Sequence, residues 1–235
     1  IGNVQGVKNI LMRSGAKAGE GLYFDKDSRV LVNTPRFHRA FEVARKVRQH
    51  QLDARVGEWT NDWAEGFKRG TLATEMSGAW LVGQLNNWVA PATKGLWRAS
   101  QLPEGAFAAY GGAFYAVPRH SAPENKALAW DFIRMMTLDR GRQFAAFKSQ
   151  DAFPALVDCY DDPFFDEPLP FLGGQPARLL WREAAKRIVA MPVHKQTTFA
   201  DEVITTELDH VLDRGKPIPQ ALADAERLIA RRAFR

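Results

Sequence analysis

The sequence predicts an α/β chain, rich in helix, with only a small mixed sheet. Apolar residues recur at helical spacing in segment after segment, and a few short apolar runs bounded by turn residues read as strands. The composition over 235 residues, 46% hydrophobic and 25% charged, is that of an ordinary globular protein. That balance excludes disorder and low complexity, and no internal repeat is visible.

Taken in order, Gly6 to Ser14 carries Val7, Ile10 and Leu11 at helical spacing, with Gly15 as a stop. Leu22-Tyr23-Phe24, a polar Asp25-Lys26-Asp27-Ser28 and Arg29-Val30-Leu31-Val32 read as a β-hairpin. Thr34-Pro35 is an N-cap followed by proline at the first helical position, and Phe37, Phe41, Ala44 and Val47 then share a face. A second helix runs from Asn61 through Trp63 and Phe67 to a stop at Gly70, and Leu72 to Met76 fits a short strand. Ser77-Gly78-Ala79-Trp80 opens a helix whose Leu81, Leu85 and Trp88 form a stripe.

Ala113 to Val117 reads as a strand behind Gly111-Gly112 and ends at Pro118. Ser121-Ala122-Pro123-Glu124 is a capping box that starts a helix through Leu128, Phe132, Ile133 and Met136. Asp139 caps the next helix, with Phe144 and Phe147 inside. Asp161 to Pro176 is rich in Pro, Gly and aromatics and reads as a long irregular connection. Three helices complete the chain, Ala177 to Val189, Thr198 to Leu212 and Pro219 to Arg231, the last burying Ile218, Leu222, Ala225 and Ile229.

Net charge is +5, with cations spread among acids; the densest groups, Arg39 to Arg48 and Arg227, Arg231, Arg232 and Arg235, read as solvated helix faces. No concentrated basic stripe points to nucleic acid. A lone Cys159 forms no intrachain disulfide and no CxxC pair. No run of 18 apolar residues occurs. The chain begins at Ile1 with no signal-peptide pattern, which reads as a processed or truncated sequence.

Catalytic signatures such as G-x-S-x-G, H-E-x-x-H and the phosphate loop are missing, and no two of the five His lie within four residues of each other. The seven Trp are more informative. An indole packs on the apolar C–H face of a sugar while polar neighbours take the hydroxyls. Trp130 and Trp181 sit in helical stripes and read as core. Trp80 follows Gly78-Ala79 at a strand-to-helix turn, where small residues admit a ligand and first-turn N–H groups offer donors.

Several ordered elements resemble the extracellular solute-binding proteins of ABC importers, in the sugar-binding branch that includes maltose-binding protein. Tyr23-Phe24-Asp25 with Asn33-Thr34-Pro35 is similar to the hairpin and helix start that precede the family's middle helices. Phe67-Lys68-Arg69-Gly70-Thr71-Leu72-Ala73-Thr74 followed by Ser77-Gly78-Ala79-Trp80 resembles F-x-x-G-x-x-A-M leading into G-x-W, with Thr74 in place of the usual Met. Leu102-Pro103, Gly111-Gly112, Ala116-Val117-Pro118, Pro123-Glu124 and Ala129-Trp130-Asp131-Phe132-Ile133 follow the family's order, as do Phe153-Pro154-Ala155 and the closing Val211 to Lys216 with Ala221 to Ala225. Glu75 departs from the pattern and reads as a solvent-face residue.

The resemblance implies part of a bilobal, type II periplasmic-binding-protein fold: residues 1–109 in the second lobe, 110–168 returning to the first, and 169–235 back in the second. It implies capture of a sugar-like solute or polyol between lobes by stacking and hydrogen bonds, delivery to a membrane permease, and a periplasmic or extracellular location, free or membrane-tethered. No enzymatic step, cofactor, metal or nucleic-acid partner is implied. Carried over by position, Trp80 is the stacking aromatic, with Gly78 and Ala79 beside it, and Tyr110, Gly111 and Gly112 near the ligand. Phe199 lies near a late aromatic position, and Trp59 and Trp63 precede a second-lobe helix and stand as cleft candidates, with core packing the favoured alternative for both. Two alternatives stand beside this: a carbohydrate-active enzyme with a carboxylate pair among Asp161, Asp162, Asp166, Glu167 and Glu75, or a protein-interaction domain with a flat aromatic patch.

Overall fold

The computed structural model describes residues 1–17 and 19–233, so Arg235 of the basic tail lies outside the described residues. In chain order the α-helices are α1 (Val4–Arg13), α2 (Pro35–Gln49), α3 (Asn61–Lys68), α4 (Trp80–Gln84), α5 (Pro123–Leu138), α6 (Arg140–Gln150), α7 (Ala177–Arg187), α8 (Thr197–Arg214) and α9 (Ile218–Ala233). They belong to two compact units: Ile1–Met76 with Gln101–Ala109 and Arg187–Arg235, and Ser77–Ser100 with Tyr110–Lys186.

The first unit is built on the apolar stripes of α1, α2, α8 and α9. Val7 and Leu11, Phe37 and Phe41, Ile204 and Leu208, and Leu222 and Ile229 meet in one buried cluster. The Asn3 side chain caps α1 by accepting the Gln5 N–H at 2.7 Å. Lys8 is fully buried in this helix and donates to Thr205 Oγ1 at 2.9 Å. Burial drives its amine down to about 8, with Asp201 pulling the other way. Tyr23 donates its hydroxyl to the same Asp201. The expected hairpin shrinks to one bridge between Phe24 and Val30, with Asp25 Oδ1 accepting the N–H groups of Asp27 and Arg29 at the turn.

In the second unit, Phe144 and Phe147 of α6 pack with Cys159, Phe164 and Phe165. Asp139 caps α6 as expected, accepting the Arg142 N–H at 2.9 Å. Arg178 of α7 lies 3.8 Å over the Phe164 ring and pairs with Asp151 at 3.3 Å. The stretch 161–176 is a working part of this core. Two 3₁₀ turns, Pro163–Asp166 and Pro170–Leu172, aim Phe164, Phe165, Phe171 and Leu172 inward. Trp181 packs against the same cluster.

The structure corrects several expectations. No strand forms among the described residues, and the isolated bridges are Phe24–Val30 and Leu169–Gln175. The small mixed sheet is therefore not present: segments 72–76 and 113–117 have strand-like sequences but no ladder partner to hydrogen-bond. The capping box does not form. Ala122 is the N-cap of α5, Pro123 begins the helix, and no side chain caps it. None of the sixteen residues of α5 is buried, and Trp130, expected in the core, is 55% exposed. Helix α4 is only five residues long and passes into a π-turn at Leu85–Val89. The wider π winding rotates Trp88 off the stripe, leaving Leu81 and Leu85 buried and Trp88 exposed.

Candidate functional site

In the second unit, two of the expected positions, Gly78 and Gly111, come together on the indole of a third, Trp80. Gly78 sits under the Trp80 ring so closely that a Cβ there would collide with Nε1. Gly111, distant in sequence, comes to the same ring: its Cβ would stand 3.6 Å from Nε1. Gly111 and Gly112 both adopt positive φ, +75° and +120°, a region open mainly to glycine. Tyr110 and Ala79 adjoin this turn and, like Trp80, are half-buried, while the two glycines are exposed. The first-turn donors expected at this helix start are not free. Leu81 N–H bonds Gly78 O at 3.0 Å and Val82 N–H bonds Ala79 O at 3.2 Å. What remains is an indole whose one side is pressed to bare backbone and which keeps part of its surface in solvent.

In the first unit, Trp59 and Trp63 pack at a 45° tilt with ring centres 5.0 Å apart, and Phe67 meets Trp63 edge-on at 4.7 Å. Helix α3 supports the group: Thr60 caps it by accepting the Trp63 N–H. Trp63 is only 2% exposed, so its ring supports others rather than meeting a solute, whereas Trp59 is 55% exposed. Glu75 joins this group, which its place in the sequence did not suggest. Its Oε2 accepts the Gly2 N–H at 3.2 Å and the Trp63 indole N–H at 3.4 Å. Burial pushes its carboxyl above the usual range, against the pull of those two donors, and neighbouring Glu58 adds to the rise.

Phe199 lies elsewhere in the first unit, half-buried, with the Arg232 guanidinium 4.4 Å over its ring. It edges a groove of about 240 Å³ shared with Glu202, Val203, Thr206, Glu207 and Leu228. Among the acids of the 161–167 stretch, Asp162 accepts the Phe164 N–H at 3.0 Å and pairs with Arg140 at 3.4 Å. No group of three or more His, Cys, Asp or Glu that could hold a metal ion occurs among the described residues. No helix among them is long and apolar enough to cross a membrane.

Comparison with solved structures identifies the fold. A binding protein associated with an ABC transporter of B. animalis subsp. lactis Bl-04, in complex with β-1,6-galactobiose, has a TM-score of 0.77 at 20% identity. That match covers 100% of this chain and 61% of the other. A protein described as extracellular solute-binding protein family 1 has a TM-score of 0.75 at 20% identity, covering 100% of this chain and 58% of its own. The sugar-binding protein MalE of the phytopathogen Xanthomonas citri has a TM-score of 0.72 at 16% identity, covering 99% and 58%. The chain thus has the fold of solute-binding proteins and spans less than two thirds of the length of these structures. The sequence profile of the bacterial extracellular solute-binding proteins matches residues 5–169. The chain belongs to that family. No curated protein sequence matches it.

Proposed function

We propose that this chain takes part in solute capture for an ABC-type importer outside the cytoplasm, and that its solute is a sugar or polyol. One observation carries the proposal: Gly78 and Gly111 meet on the Trp80 indole, which is held in place yet keeps accessible surface. A ring so fixed loses little freedom when a sugar face packs on it, and the bare glycine backbone lets hydroxyls approach closely. Ala79, Tyr110 and Gly112 complete this surface. Trp59 supplies a second exposed indole and Trp63 its backing, while Phe199 is a weaker candidate because Arg232 covers part of its ring. The named ligand of the galactobiose-bound neighbour supports a carbohydrate. The solute then passes unaltered to a membrane permease, and domains 1–109 and 169–235 are assigned to the second lobe and 110–168 to the first by the family resemblance.

The test is a thermal-shift screen against a panel of mono- and disaccharides, followed by titration calorimetry. Trp80→Ala is expected to weaken binding of the selected sugar more than about tenfold, since stacking and apolar burial contribute roughly 1.5–3 kcal/mol. Unchanged affinity removes Trp80 from the site. Turnover of a glycoside in the same screen favours an enzyme instead.

A further inference from the structure

We propose that Glu75 is a positioning residue that ties the start of α1 to the Trp63–Trp59 pair and so fixes the exposed indole of Trp59 for solute contact. The proposal rests on Trp59 being a stacking surface, as inferred above.

A single carboxylate oxygen, Glu75 Oε2, accepts from two donors far apart in sequence, the Gly2 main-chain N–H and the Trp63 indole N–H. The first holds the residue just before the Asn3 cap of α1, and the second bonds the ring against which Trp59 packs at a tilt. Space around the junction is tight. A Cβ at Gly2 would lie 3.0 Å from both Glu75 Oε2 and Trp63 Cδ1, so a side chain there would push these two groups by a few tenths of an ångström. Trp63 has no slack either, being buried and braced edge-on by Phe67. Trp59, by contrast, is exposed and held at φ +67°, a conformation that a non-glycine residue keeps only when its neighbours enforce it. Its ring leans on Trp63, and the indole N–H of Trp63 is in turn tied to Glu75.

The charges facing Glu75 are the Glu58 carboxylate, which precedes Trp59, and the α-amino group of Ile1. Glu58 also approaches α1: its Oε1 would be 3.2 Å from a Cβ at Gly6, and Glu75 Oε1 would be 4.0 Å from the same point. Protonating Glu75 weakens it as a two-fold acceptor. Because burial raises its carboxyl, this happens at higher pH than for an exposed glutamate.

The experiment follows the circular-dichroism couplet of the two tilted indoles, defined as the difference between wild type and Trp59→Phe. Glu75→Leu is expected to abolish the couplet, and Glu75→Gln, a neutral acceptor like the protonated acid, to leave it weakened at neutral pH, at the level wild type reaches in acid. In wild type the couplet should fade as pH drops through a midpoint above the ordinary carboxylate range, whereas Glu75→Gln should show no such transition. With the sugar selected by the thermal-shift screen, Glu75→Leu should lose affinity roughly fivefold, in the direction of Trp59→Ala. A couplet unchanged in Glu75→Leu, or a wild-type couplet insensitive to acid, overturns the proposal. Should Glu75→Leu fail to fold, the acid titration of wild type against Glu75→Gln decides alone. If Trp59→Ala binds the sugar as wild type does, the stacking role of Trp59 falls and the positioning role in capture falls with it. If wild type binds no sugar, the carbohydrate reading fails while the couplet still decides whether Glu75 orients the pair.

Discussion

Helices α5 and α9 are both sixteen residues long, and both carry apolar residues at helical spacing, yet the chain treats them differently. Helix α9 buries Ile218, Ala221, Leu222, Ala225, Ile229 and Ala233 in the cluster it shares with α1, α2 and α8. Helix α5 buries nothing: Leu128 is 69% exposed, and Trp130 and Phe132 stand at half exposure. Beside it Phe114 is 97% exposed, and Tyr115 touches Phe132 edge-on. Periodicity makes a helix of either segment. Burial requires a second apolar surface opposite, which α9 finds within its unit and α5 does not.

The comparison can be broken most directly by truncating one leucine in each helix. Leu222→Ala removes a fully buried side chain and should cost about 2–5 kcal/mol in urea denaturation, whereas Leu128→Ala should cost less than about 0.5 kcal/mol. Equal costs would mean that α5 is covered in solution.

A smaller effect sharpens the view of the packed side. Lys8 is sealed in the cluster, with its pKa depressed from 10.5 to about 8. The unfolded chain then binds the proton more tightly than the folded one, so the stabilisation is complete above pH 10.5 and is lost as pH falls towards about 8. Lys8→Met should remove this slope from the pH dependence of the urea midpoint. A profile identical to that of wild type would show that water reaches the amine.

The smallest contrast concerns caps. Asp139→Ala, which removes the acceptor at the start of α6, should cost about 1 kcal/mol. Ser121→Ala should cost almost nothing, because Ala122 is the N-cap of α5 and no side chain caps that helix. The thermal midpoints of the two variants measure the difference.

Much of the helical layout was legible because its signals are local. Pro35 at the start of α2, Asp139 before α6 and the stripe of α9 each act within a few residues. The turn ahead of Trp80 was also legible, since the glycine and alanine before it mark it, and the Leu81 N–H bonds back to Gly78. Glu75 was not. A charged residue after Leu72, Ala73 and Thr74 reads as outward-facing, and its donors, Gly2 and the Trp63 indole, are brought to it only by folding. The expected strands failed for a related reason: their alternation fits a sheet, but no neighbouring strand completes one.

By itself, the sequence determined roughly where most helices lie, which of their faces are apolar, and the family to which the chain belongs, because propensity, capping and patterning are properties of neighbours along the chain. Only the tertiary structure decided that Gly78 and Gly111 would share one indole, that Trp63 would sink while Trp59 stayed exposed, and that α5 would keep its apolar face uncovered. Those outcomes depend on which distant surfaces meet, and contact between distant residues leaves no local mark in the order of amino acids.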